Sequence, residues 1–150
     1  MRKLLFVLMF GLMLGCVSMS ADNRLSKSGY AGKIGLSVTP TGPGVDITTS
    51  HGYSFGNGLW IGGGAGVSCS DSNSYDYLCL LFTEAKYNIL RDNKVSPYID
   101  CKLGYATDFD KCYSYISPAL GIDLGKFSIF ASYEMISQMR ITHIGFSFNF

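Results

Sequence analysis

Apolar and polar residues alternate with a period of two along most of residues 29–150, and no stretch sustains a helical period. The pattern predicts strands at about 29–38, 45–55, 59–69, 77–88, 95–105, 113–124 and 127–135, with an eighth at the C-terminal end. In the first, Tyr30, Ile34, Leu36 and Val38 share one face and Lys33 and Ser37 the other. In the fourth, Leu81, Ala85 and Tyr87 oppose Glu84, Lys86 and Asn88. The last carries Ile144, Phe146, Phe148 and Phe150 opposite His143, Gly145, Ser147 and Asn149. An edge strand so apolar is an aggregation hazard in water. It becomes tolerable when the apolar face meets lipid and the edge pairs with the first strand. The predicted fold is therefore all-β, an eight-stranded antiparallel up-and-down transmembrane β-barrel.

Each segment is close to the roughly 9–11 residues that a tilted strand needs to cross a bilayer. Short turns are expected at 56–58, 90–94 and 125–126, and longer loops at 39–44, 70–76, 106–112 and 136–139. That alternation is the outer-membrane pattern, with both termini on the short-turn side. Facing residues of an antiparallel pair must point the same way. The turns at 56–58 and 125–126 accordingly place Phe55 opposite Leu59 and Leu124 opposite Phe127. Between the fourth and fifth strands, one register sets Glu84 opposite Lys102 and Lys86 opposite Asp100, and the other sets Glu84 opposite Asp100. Cross-strand energetics favour the first.

The N-terminus changes the setting of this barrel. Arg2 and Lys3 precede an apolar run of 11 residues, Leu4 to Leu14, and Ser18-Met19-Ser20-Ala21 offers a cleavage site. Residues 1–20 read as a signal peptide and 21–150 as the barrel, exported to the outer membrane of a Gram-negative cell. A competing detail is Leu14-Gly15-Cys16, where lipidation would acylate Cys16. Composition agrees: 18 Gly, 10 Tyr and 10 Phe against 4 Pro suit tight curvature and interfacial aromatic girdles. A net charge of +1 gives no argument for a nucleic-acid partner.

Eight charged residues fall on the inward face: Lys33, Asp46, Glu84, Lys86, Asp100, Lys102, Asp123 and Glu134. An eight-stranded barrel leaves an interior only about wide enough for side chains. Unpaired buried charges are costly, so mixed signs there predict a salt-bridged plug with little or no open channel. Four cysteines lie in the barrel: Cys69, Cys79, Cys101 and Cys112. No short spacing with His supports a metal site. Cys69 and Cys79 flank the 70–78 loop, and a disulfide between them would contribute roughly 2–3 kcal/mol. Pairing Cys101 with Cys112 would require the fifth strand to end early. His143 is expected to line the polar lumen. No nucleophile with a base and an orienting group stands out, so no enzymatic activity and no cofactor are expected. Gly58-Leu59-Trp60 resembles the G-x-W of lipocalins, but those barrels bury apolar side chains and carry a helix after their strands. Gly62-Gly63-Gly64 reads as room for Trp60 inside the barrel.

Phe82-Thr83-Glu84-Ala85-Lys86-Tyr87-Asn88, then Ser96-Pro97-Tyr98, Leu103-Gly104-Tyr105 and the terminal Phe150 resemble small outer-membrane β-barrels of the OmpA/OmpX-like and opacity-type "porin family" over residues 21–150. The resemblance implies insertion by the barrel assembly machinery, which reads an aromatic C-terminal strand; Phe146, Phe148 and Phe150 match that signal. Unlike full-length OmpA, the expected protein has no peptidoglycan-binding domain after the barrel. The expected protein is a monomer in outer-membrane lipid, structural or adhesive through short external loops that meet an unidentified extracellular ligand. Asp71, Asp76, Asp108, Asp110, Tyr75, Tyr77 and Tyr113 sit on or beside those loops. The alternatives are a small-solute channel, a lipid-acting barrel enzyme in which His143 works, and a lipocalin-like binder.

Overall fold

The computed structural model describes residues 28–40, 42–70, 77–90 and 95–150. The signal segment, Cys16, Asp71, Tyr75, Asp76 and the 91–94 turn lie outside the described residues. Eight antiparallel strands close into one barrel in chain order. They are β1 (Ser28–Val38), β2 (Gly44–Phe55), β3 (Leu59–Ser70), β4 (Tyr77–Asn88), β5 (Val95–Thr107), β6 (Cys112–Leu124), β7 (Phe127–Ile136) and β8 (Met139–Asn149). All eight predicted strands are present and every predicted face is correct. The reason is local: successive side chains in a strand leave on opposite sides, so the alternation of the sequence is the alternation of the two barrel surfaces.

The seam between β1 and β8 closes the barrel, from Lys33↔Asn149 to Val38↔Ile144. Gly32 and Phe150 extend it by exchanging two backbone hydrogen bonds, of 2.7 and 2.8 Å. Closure removes the edge that would make the Phe-rich β8 an aggregation site. Leu124 faces Phe127, Glu84 faces Lys102 and Lys86 faces Asp100, as the parity argument requires.

Two expectations about the rims change. Strands β5 and β6 run on to Thr107 and Cys112, so their loop shrinks to 108–111, and β7 and β8 are joined by Ser137 and Gln138 alone. These two connections are therefore scarcely longer than those at 56–58 and 125–126, at the end that holds the start of β1 and the end of β8, while 39–43 and 71–76 still separate β1 from β2 and β3 from β4. Short loops follow because a ladder gains a cross-strand pair for each residue it annexes.

The outer surface is apolar along every strand. Aliphatic Ile61, Leu81, Leu103 and Leu120 stand at mid-strand with about half or more of their surface exposed. Aromatics gather towards the two rims: Tyr30, Tyr53, Phe55 and Phe127 at the terminal end, Tyr77 and Tyr105 at the far end. Buried Asp46, Glu84, Lys86, Lys102 and Asp123 point the other way. A barrel apolar outside and charged inside is the inverse of a soluble ligand-binding barrel, and is the arrangement that a bilayer stabilises.

Candidate functional site: the lumen

The eight predicted inward charges all line the lumen, in three layers. At the terminal end Asp123 is the hub. Its Oδ1 accepts from Lys86 Nζ at 2.8 Å and from Ser128 Oγ at 2.5 Å, and its Oδ2 accepts from Asn88 Nδ2 at 2.5 Å. Asn149 donates to Ser128 at 2.7 Å and ties β8 into the cluster. Lys86 Nζ also lies 3.9 Å from the centre of the Tyr98 ring, a close cation–π contact. At mid-height Lys33 crosses the lumen from β1. It donates to Asp100 Oδ2 at 2.8 Å and pairs with Glu84.

These partners differ from the facing pairs that the register suggested. Glu84 and Lys102 are neighbours on adjacent strands, as are Lys86 and Asp100, but the bonds run Lys33–Glu84, Lys33–Asp100 and Lys86–Asp123. A narrow lumen brings opposite walls within reach of one lysine side chain, so long side chains bridge across it. Among the described residues Lys102 makes no ion pair. Its ammonium lies 5.2 Å from the Phe82 ring centre and 5.8 Å from that of Phe130.

The far layer carries a group that sequence reading did not assemble. Asp46 from β2, Glu134 from β7 and His143 from β8 converge, each at least 97% buried. His143 Nδ1 lies 2.6 Å from Asp46 Oδ2, and Nε2 lies 3.5 Å from Glu134 Oε2. Ser37 Oγ donates to Asp46 Oδ2 at 3.2 Å, and Tyr115 OH donates to Glu134 Oε1 at 2.9 Å. The parity of β8 placed His143 inside, but the convergence depends on barrel closure, which sequence spacing does not express. Over this layer sits an apolar cluster of Leu78, Leu80, Phe82, Ala106, Tyr115 and Ile136. The inward face was expected to be the polar one, with Trp60, Tyr98 and Tyr115 among its residues, and this far-end cluster adds an apolar layer to it. Glycines admit the large rings. A Cβ on Gly62 would lie 2.5 Å from the Trp60 ring, and one on Gly64 would lie 2.7 Å from Phe82, whereas Gly63 faces outward.

The Cys69–Cys79 disulfide is not formed; all four barrel cysteines are free thiols. Cys69 faces Tyr77, and Cys79 faces Val67. The two thiols are diagonal neighbours, about 7–8 Å apart at Cα by sheet geometry. A disulfide spans only about 4.4–6.8 Å. Cys101 and Cys112 face Pro118 and Thr107, since β5 does not end early.

At the far rim the 108–111 turn is held by side chains. Asp108 Oδ1 accepts from the backbone N–H of Lys111 at 2.7 Å and of Asp110 at 3.0 Å. The Thr107 hydroxyl donates to Lys111 O at 2.9 Å and accepts from Phe109 N–H at 3.0 Å. The Lys111 N–H bond, with that of Asp110, holds the Asp108 carboxyl below its ordinary range. Phe109 takes a left-handed conformation (φ +72°), which a bulky residue seldom adopts, and the residue is 48% exposed at the tip.

Two solved structures share this architecture. One is a de novo designed transmembrane β-barrel, 13% identical with a TM-score of 0.52, covering 88% of this chain and all of its own. The other is the crystal structure of Neisserial surface protein A (NspA), 14% identical with a TM-score of 0.55, covering 80% of this chain and 92% of its own. The shared feature is the fold, a small closed eight-stranded transmembrane barrel. No protein-family profile matches the chain, and no curated protein sequence is significantly similar to it.

Proposed function

We propose that this protein is a non-enzymatic outer-membrane barrel with a lumen closed by its own side chains, serving the envelope as a structural or adhesive element through its far-end loops. The observation that carries the reading is the filled lumen: three layers of buried charged and polar side chains, two of them ion-paired, and a capping apolar cluster, inside a wall whose outer surface is apolar. The adhesive part rests on the 108–111 turn. Its side-chain hydrogen bonds hold Phe109 out from the rim in a strained conformation, and such strain persists where the surroundings over-determine it, often at contact sites. The chain is a monomer in outer-membrane lipid, delivered by its signal segment and inserted by the barrel assembly machinery through Phe146, Phe148 and Phe150. Against a lipid-acting enzyme stands the placement of His143, which faces the lumen between two carboxylates and has no access to the lipid surface.

Two measurements on the detergent-extracted protein test this. Unheated, the β-rich protein should migrate faster on a gel than after boiling. In planar bilayers it should give no sustained conductance. A protein soluble without detergent and without a heat shift would overturn the membrane reading. Steady conductance abolished by changing Lys86 or Lys102 would replace the plug with a pore.

A further inference from the structure

Asp46, Glu134 and His143 are close to one another but poorly bonded. One ring nitrogen and one oxygen from each carboxylate lie within 4.8 Å of one another. Neither ring nitrogen has an aligned hydrogen bond, although Asp46 Oδ2 is only 2.6 Å from Nδ1. Asp46 Oδ1 and Glu134 Oε2 are also buried without a hydrogen-bond partner. Buried polar atoms without partners are rare and call for a physical reason.

The misalignment itself is informative. A hydrogen bond places the acceptor on the N–H axis. When an imidazole and a carboxylate share a metal ion, the ion takes that axis and the carboxylate oxygen sits to one side of it. Each carboxylate also accepts from a hydroxyl, Asp46 Oδ2 from Ser37 and Glu134 Oε1 from Tyr115, as metal-ligating carboxylates commonly do. The nearest cation does not do this work, since Lys102 lies over the Phe82 and Phe130 rings.

We propose that Asp46, Glu134 and His143 bind one divalent transition-metal ion of the zinc class, tying β2 to β7 and β8 inside the far third of the lumen. One imidazole with two carboxylates suits Zn2+ at about 2.0–2.2 Å per bond, with water as a fourth ligand. Calcium prefers six to eight oxygens, and magnesium keeps several waters in an octahedron, so neither suits a buried pocket with three protein ligands. The site lies beneath the apolar cluster of Tyr115 and Ile136, so the ion enters as the barrel closes.

The test refolds the tag-free full chain into detergent with and without equimolar Zn2+. All five cysteines are replaced by Ala so that thiols do not compete. Bound zinc is counted by elemental mass spectrometry after gel filtration, and folding is followed by heat-modifiable mobility. The expected result is about one zinc per folded chain and a raised unfolding temperature. His143→Ala, Asp46→Asn and Glu134→Gln should each weaken binding by about a hundredfold or more while the near-isosteric pair still fold. Tyr115→Phe should weaken it by about 10–100-fold. A folded chain that retains no zinc would overturn the proposal, leaving an imidazolium clamped between two carboxylates. So would zinc retention indifferent to all three ligand substitutions.

Discussion

Asp123 shows how one residue can decide the stability of a whole layer. Asp123 is 7% exposed, and its carboxylate accepts from Lys86 and Asn88 of β4 and from Ser128 of β7. Removing one partner of a buried pair leaves a charge without compensation, and that cost exceeds the worth of the pair itself. Lys86→Met should therefore destabilise the barrel by about 3–5 kcal/mol in urea unfolding from detergent. Lys86→Met with Asp123→Leu should recover most of the loss. A double variant as unstable as the single would show that the pair contributes net stability. The Cys69–Cys79 expectation failed at this same scale. Both thiols share the outer face, which parity alone told, but a displacement of two residues along the ladder is enough to forbid a bond.

At the scale of the element, the hairpin between β5 and β6 differs from the others because its turn carries its own scaffold. The Asp108 carboxyl is depressed below its unfolded value of about 3.9 by backbone N–H groups. The sign of the linkage follows: the order this group contributes is fully present above pH 4 and is lost as pH falls through the lower folded value. Amide exchange at Lys111 and Asp110 should accelerate on acidification in that window while mid-strand amides of β5 and β6 stay protected. Equal protection of Lys111 at both ends of the window would show that the turn does not depend on the charged carboxylate. The sequence had suggested a longer loop here, 106–112. The strands annexed its ends because Ala106 faces Tyr113, and both pack with the far-end apolar cluster, a tertiary contact with no local signature.

For the whole molecule, the seam is the weak line. β5 and β6 are paired from Val95↔Leu124 to Thr107↔Cys112, whereas β1 and β8 are paired only from Lys33↔Asn149 to Val38↔Ile144, plus the two Gly32–Phe150 bonds. Local opening starts where fewest ladder bonds must break together. Hydrogen-exchange mass spectrometry in detergent should find peptides covering 33–38 and 144–149 exchanging before those covering 96–106. Uniform protection around the barrel would refute this.

Period-two alternation settled the number of strands, their faces and the inside of the barrel, because a strand's side-chain direction is a property of the chain itself. Turn length and charge signs settled the β4–β5 register, since adjacent strands meet through local hydrogen bonds. Three features waited for the closed barrel: the Lys33 bridge to Glu84 and Asp100, the apolar cap, and the meeting of Asp46, Glu134 and His143. Each joins strands distant in the chain across a lumen only a side chain wide. Curvature and closure set those distances, and no spacing along the sequence contains them.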